Sequence, residues 1–360
     1  MKKTDKSKLE ETKIDIRSLT LSEMERFIIS LGEKKFRALQ VFEWINRKLA
    51  NSFDEMTNLS KELRSKLSEQ SYISEIKILE KLESAELLND KTKKYLFQLE
   101  NKTIIESVFM EYSHGNSVCI SSQAGCKMGC VFCASTVNGI ERDLTAGEIL
   151  AQVYEIQKDT GEKISNIVVM GSGEPFDNFE NVMKFLEIIN DEKGLNIGRR
   201  RVTISTCGLV DRIYEFAEQN LQTTLAISLH APNDKIRKQI MPIAKRESME
   251  ELLLACKYYS NKTNRRVTYE YALIDGLNDS IEDAKELGAK LRRTLCHVNL
   301  ISVNEIAERN YKGSSNEKAL KFSKTLEQFG VVTTIRRKLG SDINAACGQL
   351  RNSYKDGGHE

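Results

Sequence analysis

From residue 117 onward, short apolar runs alternate with longer amphipathic segments. The runs lie at 117–121, 165–170, 201–206, 224–229, 267–273, 296–301 and 331–335. Runs that are apolar throughout are typical of strands buried on both faces of a parallel sheet. Several intervening segments begin with helix-capping pairs, as at Thr145 and Glu148 or at Ser248 and Glu251. The alternation predicts an α/β fold, and a partial (β/α)6 barrel fits it well, although an open doubly wound sheet is the alternative. In either architecture, ligands bind at the carboxyl ends of the strands.

The residues before this alternation have different patterns. Met24, Phe27, Ile28 and Leu31 recur at helical spacing, which predicts a small helical domain at the N-terminus. Strand-like runs follow and predict a short β region before the barrel. The predicted division is a helical accessory domain over 1–90, a small β linker over 91–116, the barrel over 117–340 and a C-terminal segment over 341–360.

The composition bears on the partners and the compartment. The chain has 54 Lys and Arg against 52 Asp and Glu, so its net charge does not indicate binding of nucleic acid, which would have to come from local basic patches. No apolar run approaches the roughly 18–20 residues of a membrane span, and the residues after Met1 are unlike a secretion signal. We therefore expect a cytoplasmic monomer with no membrane contact. The basic clusters are 199–201, 245–246, 265–266, 292–293 and 336–338, of which the first and last flank strands and could present guanidinium groups near the site.

Three of the eight cysteines are close together in the sequence. Cys126, Cys130 and Cys133 follow the first predicted barrel strand with the spacing CxxxCxxC. Three thiolates on one loop can hold three irons of a [4Fe–4S] cluster and leave the fourth iron open to a substrate. The alternatives are a zinc site completed by Cys119 or Cys207, or a chance group of core thiols. Structural zinc usually uses two separated pairs of ligands, so the single tight triplet favours the cluster.

This triplet, with Phe132 before its last cysteine, resembles the radical-SAM superfamily. In that superfamily the open iron binds S-adenosylmethionine (SAM), and one electron cleaves it to a 5′-deoxyadenosyl radical. The stretch 171–175, Gly-Ser-Gly-Glu-Pro, resembles the element that contacts the amino group of SAM. Without the resemblance, this stretch would be read as a tight turn between a strand and a helix.

Three further stretches, 119–126, 226–232 and 342–350, narrow the resemblance to the dual-specificity rRNA/tRNA adenine-C2 methyltransferases. The resemblance implies methylation of C2 of adenine in 23S rRNA (an adenine-2503 type site) and in tRNA (an adenine-37 type site). C2 is electron-poor and cannot attack the methyl group of SAM. The family therefore first transfers a methyl group to a protein thiolate, which is a nucleophile. Two SAM molecules per turnover, one [4Fe–4S] cluster and a flavodoxin or ferredoxin as electron donor are implied.

The resemblance also assigns roles to individual residues. Cys347 matches the cysteine that carries the methyl group, Cys119 the cysteine that resolves the protein–RNA adduct through a transient disulfide with Cys347, and Glu106 the proton acceptor. The stretch 302–311 lacks the prolines of the family's loop at this place. Asn304 belongs to this stretch, so its assignment as a SAM contact depends on a loop that departs from the family's pattern. The implied SAM contacts are Gly173, Glu174, Ser205, Ser228, Leu229, His230 and Asn304, and the implied cluster ligands are Cys126, Cys130 and Cys133.

Two other functions fit parts of the sequence. An adenine-C8 rRNA methyltransferase that confers antibiotic resistance shares the cluster and the two cysteines that match Cys119 and Cys347. Pro175 and the N-terminal domain resemble the C2 enzymes more closely. A zinc-stabilised RNA-binding protein without catalysis is the alternative from a different class.

Overall fold

The structure is a computed structural model that describes residues 13–85, 91–113, 115–304, 310–336, 340, 342–346 and 348–350. Its N-terminal part is helical, as the apolar spacing predicted. Thr20 and Glu23 form a capping box at the start of the first helix, which buries Met24, Phe27 and Ile28. The elements are β1 (Ile14–Asp15), α1 (Leu21–Ser30), α2 (Phe36–Asn46), α3 (Lys61–Gln70) and β2 (Ser71–Tyr72), with β1 and β2 paired in parallel.

Three antiparallel strands follow the helical part. They are β3 (Ile76–Glu83), β4 (Lys93–Leu99) and β5 (Ile104–Met110). These strands share one sheet with the barrel, because β5 pairs antiparallel with the first barrel strand. Every residue of β5 is buried, so this strand lies inside the molecule.

The barrel strands confirm the apolar runs of the sequence to within two residues at each end. They are β6 (Asn116–Ile120), β9 (Ile164–Val169), β10 (Val202–Thr206), β11 (Thr224–Ser228), β12 (Val267–Leu273), β13 (Cys296–Ser302) and β14 (Thr333–Ile335). Each pairs in parallel with the next, so their carboxyl ends meet at one edge. A separate hairpin, β7 (Gln123–Gly125) and β8 (Ile140–Asp143), encloses the cysteine loop.

Helices connect the parallel strands. The predicted capping pair at Thr145 and Glu148 and the pair at Ser248 and Glu251 both form capping boxes in the structure. Among the described residues, no helix is both long and apolar enough to cross a bilayer. The helices are α4 (Ala146–Thr160), α5 (Phe179–Asn190), α6 (Val210–Glu218), α7 (Asp234–Ile240), α8 (Met249–Thr263), α9 (Ile281–Leu291) and α10 (Asn316–Gln328).

The side-chain amide of Gln152, on α4, joins this helix to two neighbouring strands. Its Oε1 accepts hydrogen bonds from the Ser107 hydroxyl on β5 and from the backbone N–H of Ser121, each at 2.8 Å. Its Nε2 donates to the Ser121 carbonyl at 2.9 Å. The Ser121 hydroxyl in turn donates to the carbonyl of Glu106 at 2.7 Å. Because Gln152 is fully buried, these bonds fix β5 against the end of β6 without competition from water.

We expect Gln152→Leu to lower the free energy of unfolding by about 3 kcal/mol, because several buried polar groups lose their partners. Denaturant unfolding followed by circular dichroism measures the loss. Lys158→Leu on the same helix is the control. It removes a partly exposed ion pair to Glu155 and should change the free energy by less than about 0.5 kcal/mol. A similar small change in Gln152→Leu would contradict this account.

Candidate active site

The cysteine loop is closed at its base by two glycines. Gly125 has φ +75°, and a side chain at this position would collide with the Gly139 carbonyl. The backbone N–H of Cys126 donates to the same carbonyl at 2.9 Å. Cys126 and Cys130 are buried and Cys133 is half-buried. The loop therefore turns all three thiols inward, to the carboxyl ends of the barrel strands.

The three thiols line a cavity of about 160 Å³ at these strand ends. The cavity is also lined by six of the residues that the sequence assigned to SAM, namely Gly173, Glu174, Ser205, Ser228, His230 and Asn304. The side chain of Leu229 is fully buried and does not line the cavity. The structure thus brings the predicted cluster ligands and most predicted SAM contacts to one place, and their roles stay predictions.

Glu174 connects the turn after β9 to its surroundings. Its backbone N–H donates to Oε1 of Gln123 at 2.8 Å, and its carboxylate accepts from the N–H of Phe176 at 3.0 Å and of Cys207 at 2.7 Å. Burial raises the pKa of the Glu174 carboxyl, although these hydrogen bonds oppose the shift. Gly173 has φ +106°, and a Cβ there would come within 2.6 Å of the Gln123 side chain. Only glycine fits this close approach.

His230 is held as a neutral ring. It has φ +55°, and its Nδ1 accepts a hydrogen bond from the N–H of Ala272 at 2.9 Å. This bond leaves the ring proton on Nε2. Burial lowers the pKa of His230 to about 3, so the ring carries no charge near neutral pH. The ring of Phe132, next to Cys133, contacts it edge-on with centroids 4.7 Å apart.

A second cavity of about 80 Å³ shares part of its wall with the first, including Cys133, Asn304 and Gly348. Cys119, on β6, lines this smaller cavity, and its register partner on β5 is Val108. Glu106 precedes Val108 by two residues and therefore lies on the same face of the sheet. The structure thus brings two of the predicted reacting residues, Glu106 and Cys119, to one face beside the smaller cavity.

The similarity to known proteins agrees with this geometry. Residues 14–73 match the N-terminal domain of the ribosomal RNA large subunit methyltransferases, and residues 120–288 match the radical SAM superfamily. The probable dual-specificity RNA methyltransferase RlmN of Alkaliphilus oremlandii is 55% identical over 95% of this chain and 98% of its own length. That of Clostridium novyi is 54% identical over 94% and 98%. The chain belongs to the RlmN family.

The crystal structure of a radical SAM methyltransferase from Sphaerobacter thermophilus is also similar, with a TM-score of 0.89 and 42% identity. It covers 94% of this chain and 99% of that one. Membership of the RlmN family confirms the resemblance seen in the sequence. This chain is therefore an RNA methyltransferase of the radical-SAM superfamily with a barrel fold.

The RlmN family implies SAM and a [4Fe–4S] cluster as cofactors, and the cysteine loop fits a cluster. Burial raises the pKa of the Cys126 thiol to about 12 and that of the Cys130 thiol well above its ordinary value. Thiolates at such sites need a compensating cation, which bound metal supplies. Among the described residues, no three His, Cys, Asp or Glu side chains are arranged to hold a single ion. A cubic cluster bonds each thiolate to a different iron, and three thiols at the wall of one cavity can supply these three bonds.

Glu270, on β12, is a candidate SAM contact that the sequence reasoning missed. It lines the larger cavity and is in register with Ser228 on β11 and Asn299 on β13. Its Oε1 accepts from Nδ2 of Asn299 at 3.3 Å, while the buried Oε2 makes no hydrogen bond to a described residue. Such an acceptor suits a ligand with hydroxyl or amine donors, as SAM has. The available signal was a carboxylate within an otherwise apolar strand.

Arg237, on α7, is a second residue that the sequence reasoning missed. It is fully buried, and its Nη2 donates to the carbonyl of Cys207 at 2.6 Å and of Ser228 at 3.5 Å. These carbonyls follow β10 and end β11, so the guanidinium ties two strand ends together beneath the larger cavity. Burial lowers the pKa of Arg237. A single arginine in an amphipathic helix gave no signal of this role.

The C-terminal segment is attached to the cysteine loop. The backbone N–H of Ala134 donates to the Gly348 carbonyl at 2.7 Å, and the Ser135 hydroxyl donates to the Leu350 carbonyl at 2.7 Å. Cys347, and with it the predicted transient disulfide, lies outside the described residues. Ala346 and Gly348, on either side of that position, both line the smaller cavity.

The two basic clusters singled out near the site lie at opposite ends of the sheet. Arg336 follows β14 and lines both cavities, as expected, and positions 337 and 338 lie outside the described residues. The cluster Arg199–Arg201 precedes β10, so it lies at the amino end of that strand. The expectation that it meets phosphates near the site was therefore wrong, because the carboxyl ends of parallel strands share one edge.

We expect Cys126→Ala, Cys130→Ala and Cys133→Ala each to lose the iron of the cluster together with cleavage of SAM, because each thiolate would hold one iron. Iron content, absorbance near 400 nm and release of 5′-deoxyadenosine after anaerobic purification measure both. Cys256→Ala, buried in α8, and Cys296→Ala, half-buried on β13, are matched controls that should keep the iron. Full iron content with SAM cleavage in any triplet variant would overturn the assignment.

Proposed function

We propose that this chain methylates C2 of adenine in 23S rRNA and in tRNA, at sites of the adenine-2503 and adenine-37 types, through a methyl group carried by Cys347. The observation that carries the proposal is that Cys119 and both neighbours of position 347 line the smaller cavity. Glu106 lies on the same sheet face as Cys119, two residues from its register partner Val108. The curated relatives are named dual-specificity RNA methyltransferases, which supports both RNA classes as substrates.

In this proposal, individual residues carry out the successive steps that methylation of an electron-poor carbon requires. When bound, the cluster and two SAM molecules per turnover supply the methyl group and the radical that removes a hydrogen from it. Cys347 holds the methyl carbon, which bonds to C2 and joins the protein to the RNA. Glu106 accepts the proton from C2. Loss of this proton to Glu106 and of the unpaired electron of the adduct to a one-electron acceptor, for which the oxidised cluster would serve, restores the aromatic ring.

Cys119 then releases the product. Its thiolate attacks the sulfur of Cys347, and the bond from that sulfur to the methylene carbon breaks. The carbon keeps the electron pair and takes up a proton to become the methyl group, while the two sulfurs form a disulfide. The disulfide must be reduced before the next turnover. This division needs the two sulfurs within bonding reach of each other, beside the base.

The proposal extends to the substrate and the remaining partners. The target adenine must leave its stack to reach a buried cavity, as in other enzymes that modify bases. Arg336, at the wall of both cavities, is placed to contact a phosphate of the RNA. A flavodoxin or ferredoxin would supply the electron, and a monomer acting on cytoplasmic RNA is the arrangement that we propose.

Mass spectrometry of nucleosides tests the position of the methyl group. We expect 2-methyladenosine in both 23S rRNA and tRNA incubated with the reconstituted protein, SAM and a reductant. Cys347→Ala should keep its iron and make no methylated nucleoside, because the base has no other source of an activated methyl carbon. Formation of 8-methyladenosine would instead establish the C8 activity. Methylation of RNA by Cys347→Ala would show that Cys347 does not carry the methyl group.

The role of Cys119 is tested by Cys119→Ala. This variant should still methylate Cys347 and cleave SAM, yet accumulate a covalent protein–RNA adduct, because no thiolate opens the bond to Cys347. The adduct runs as a shifted band on a denaturing gel and disappears on nuclease treatment. Cys256→Ala is the matched control and should release methylated RNA. Normal release by Cys119→Ala would show that this cysteine has no part in the reaction.

A further inference from the structure

Lys94 and Glu106 form a buried ion pair beside the smaller cavity. Lys94, on β4, is the register partner of Val108, so it is a diagonal neighbour of Glu106 on the same face. Its Nζ lies 3.0 Å from Oε1 of Glu106. The two side chains are only 5% and 2% exposed. Lysine and glutamate are almost never buried to this extent unless they are paired.

Such a pair is a poor way to stabilise a fold. Removing two charges from water is unfavourable, and apolar residues of similar size often stabilise a core equally well. Next to this pair, the same sheet face contributes to an apolar cluster. In it, Val108 and Met110 of β5 pack with Ala345 and Leu350 of the C-terminal segment. Packing alone therefore gives no reason for a lysine at position 94. The position of Lys94 next to the proposed proton acceptor does give such a reason.

The surroundings define the charge around Glu106. On its own sheet face the neighbouring strands contribute Lys94 from β4 and Cys119 from β6. Tyr112, Cys133 and Arg336 are the other titratable side chains of the described residues at the smaller cavity. The Nζ of Lys94 also donates to the carbonyl of Asn344 at 3.3 Å, which fixes the position of the ammonium. Among the described residues, Lys94 thus places its ammonium directly against the Glu106 carboxylate.

We propose that Lys94 is a positioning residue that keeps Glu106 ionised and correctly oriented to accept the proton from C2 of the adduct. This inference rests on the proposed function, in which Glu106 is the proton acceptor. The proton moves from C2 to the carboxylate, and Lys94 keeps its own protons throughout. An ammonium at 3.0 Å favours the charged carboxylate that burial alone would disfavour. Lys94 touches neither the base nor a cofactor in this scheme and acts through Glu106.

The test compares Lys94→Met, which removes the charge and keeps the apolar stem, with Lys94→Arg, which keeps the charge. Lys93→Met is the matched control, because Lys93 is the adjacent residue on β4 and its pair with Glu83 is partly exposed. All three variants should load iron, cleave SAM and methylate Cys347 within about twofold of the unchanged protein. Lys94→Met should accumulate the protein–RNA adduct, and the other two should not.

The pH dependence of adduct release separates this role from a structural one. A buried carboxylate that loses its paired cation binds a proton more readily. The acid limb of the release rate should therefore move to higher pH in Lys94→Met, with a loss of about tenfold in the release rate on the acid side. Lys94→Arg should keep the limb in place. An unmoved limb in Lys94→Met would overturn the proposal.

Glu106→Gln distinguishes a failure of the proposed function from a failure of the inference about Lys94. If it releases methylated RNA normally, Glu106 is not the proton acceptor, and the proposed function fails at this residue. If it accumulates the adduct while Lys94→Met behaves like the unchanged protein, only the inference about Lys94 fails. Lys94→Met/Glu106→Gln removes both buried charges and so avoids an unpaired one. Its adduct level should equal that of Glu106→Gln alone, and a further loss of Cys347 methylation would show that Lys94 acts elsewhere.

Discussion

The pairing of β5 with β6 determines which side chains can meet at the site. Side chains alternate between the two faces of a strand, so a slip of one residue would turn Glu106 and Val108 away from Cys119. The buried amide of Gln152 holds both strands at once and opposes such a slip. The antiparallel strands are therefore part of the proposed catalytic arrangement, although they lie outside the repeating units of the barrel.

Low polarity is the second property that the site depends on. The thiols of Cys126 and Cys130, the carboxylates of Glu174 and Glu270 and the ring of His230 are all largely removed from water, and burial favours the uncharged form of each. Each charge that the reaction needs must then be compensated locally. Metal would do so at the thiols, and Lys94 does so at Glu106. A reactive carbon in such a place is also protected from water and stray donors.

Most of the fold could be predicted from the sequence because its signals are local. Apolar runs marked the barrel strands, capping pairs marked helix starts, and three spaced cysteines marked the loop. The pairing of Lys94 with Glu106 could not be predicted, because it depends on the register of two strands. Glu270 stands out in the sequence as a carboxylate within an apolar strand. Its role could not be inferred, because its partner Asn299 belongs to another strand. The error over Arg199–Arg201 had a simple cause: residues before a parallel strand lie at the far end from residues after it.

The hydrogen bonds from Ala134 and Ser135 to the C-terminal segment begin one residue after the last cysteine of the loop. Both bonds are accepted by residues that follow position 347, so the shape of that loop is linked by backbone contacts to the segment of the proposed methyl carrier. Under the proposed function, assembly of the metal centre and placement of the carrier segment are therefore coupled. In a cell short of iron, loss of the cluster would then disturb the carrier segment as well as the SAM site.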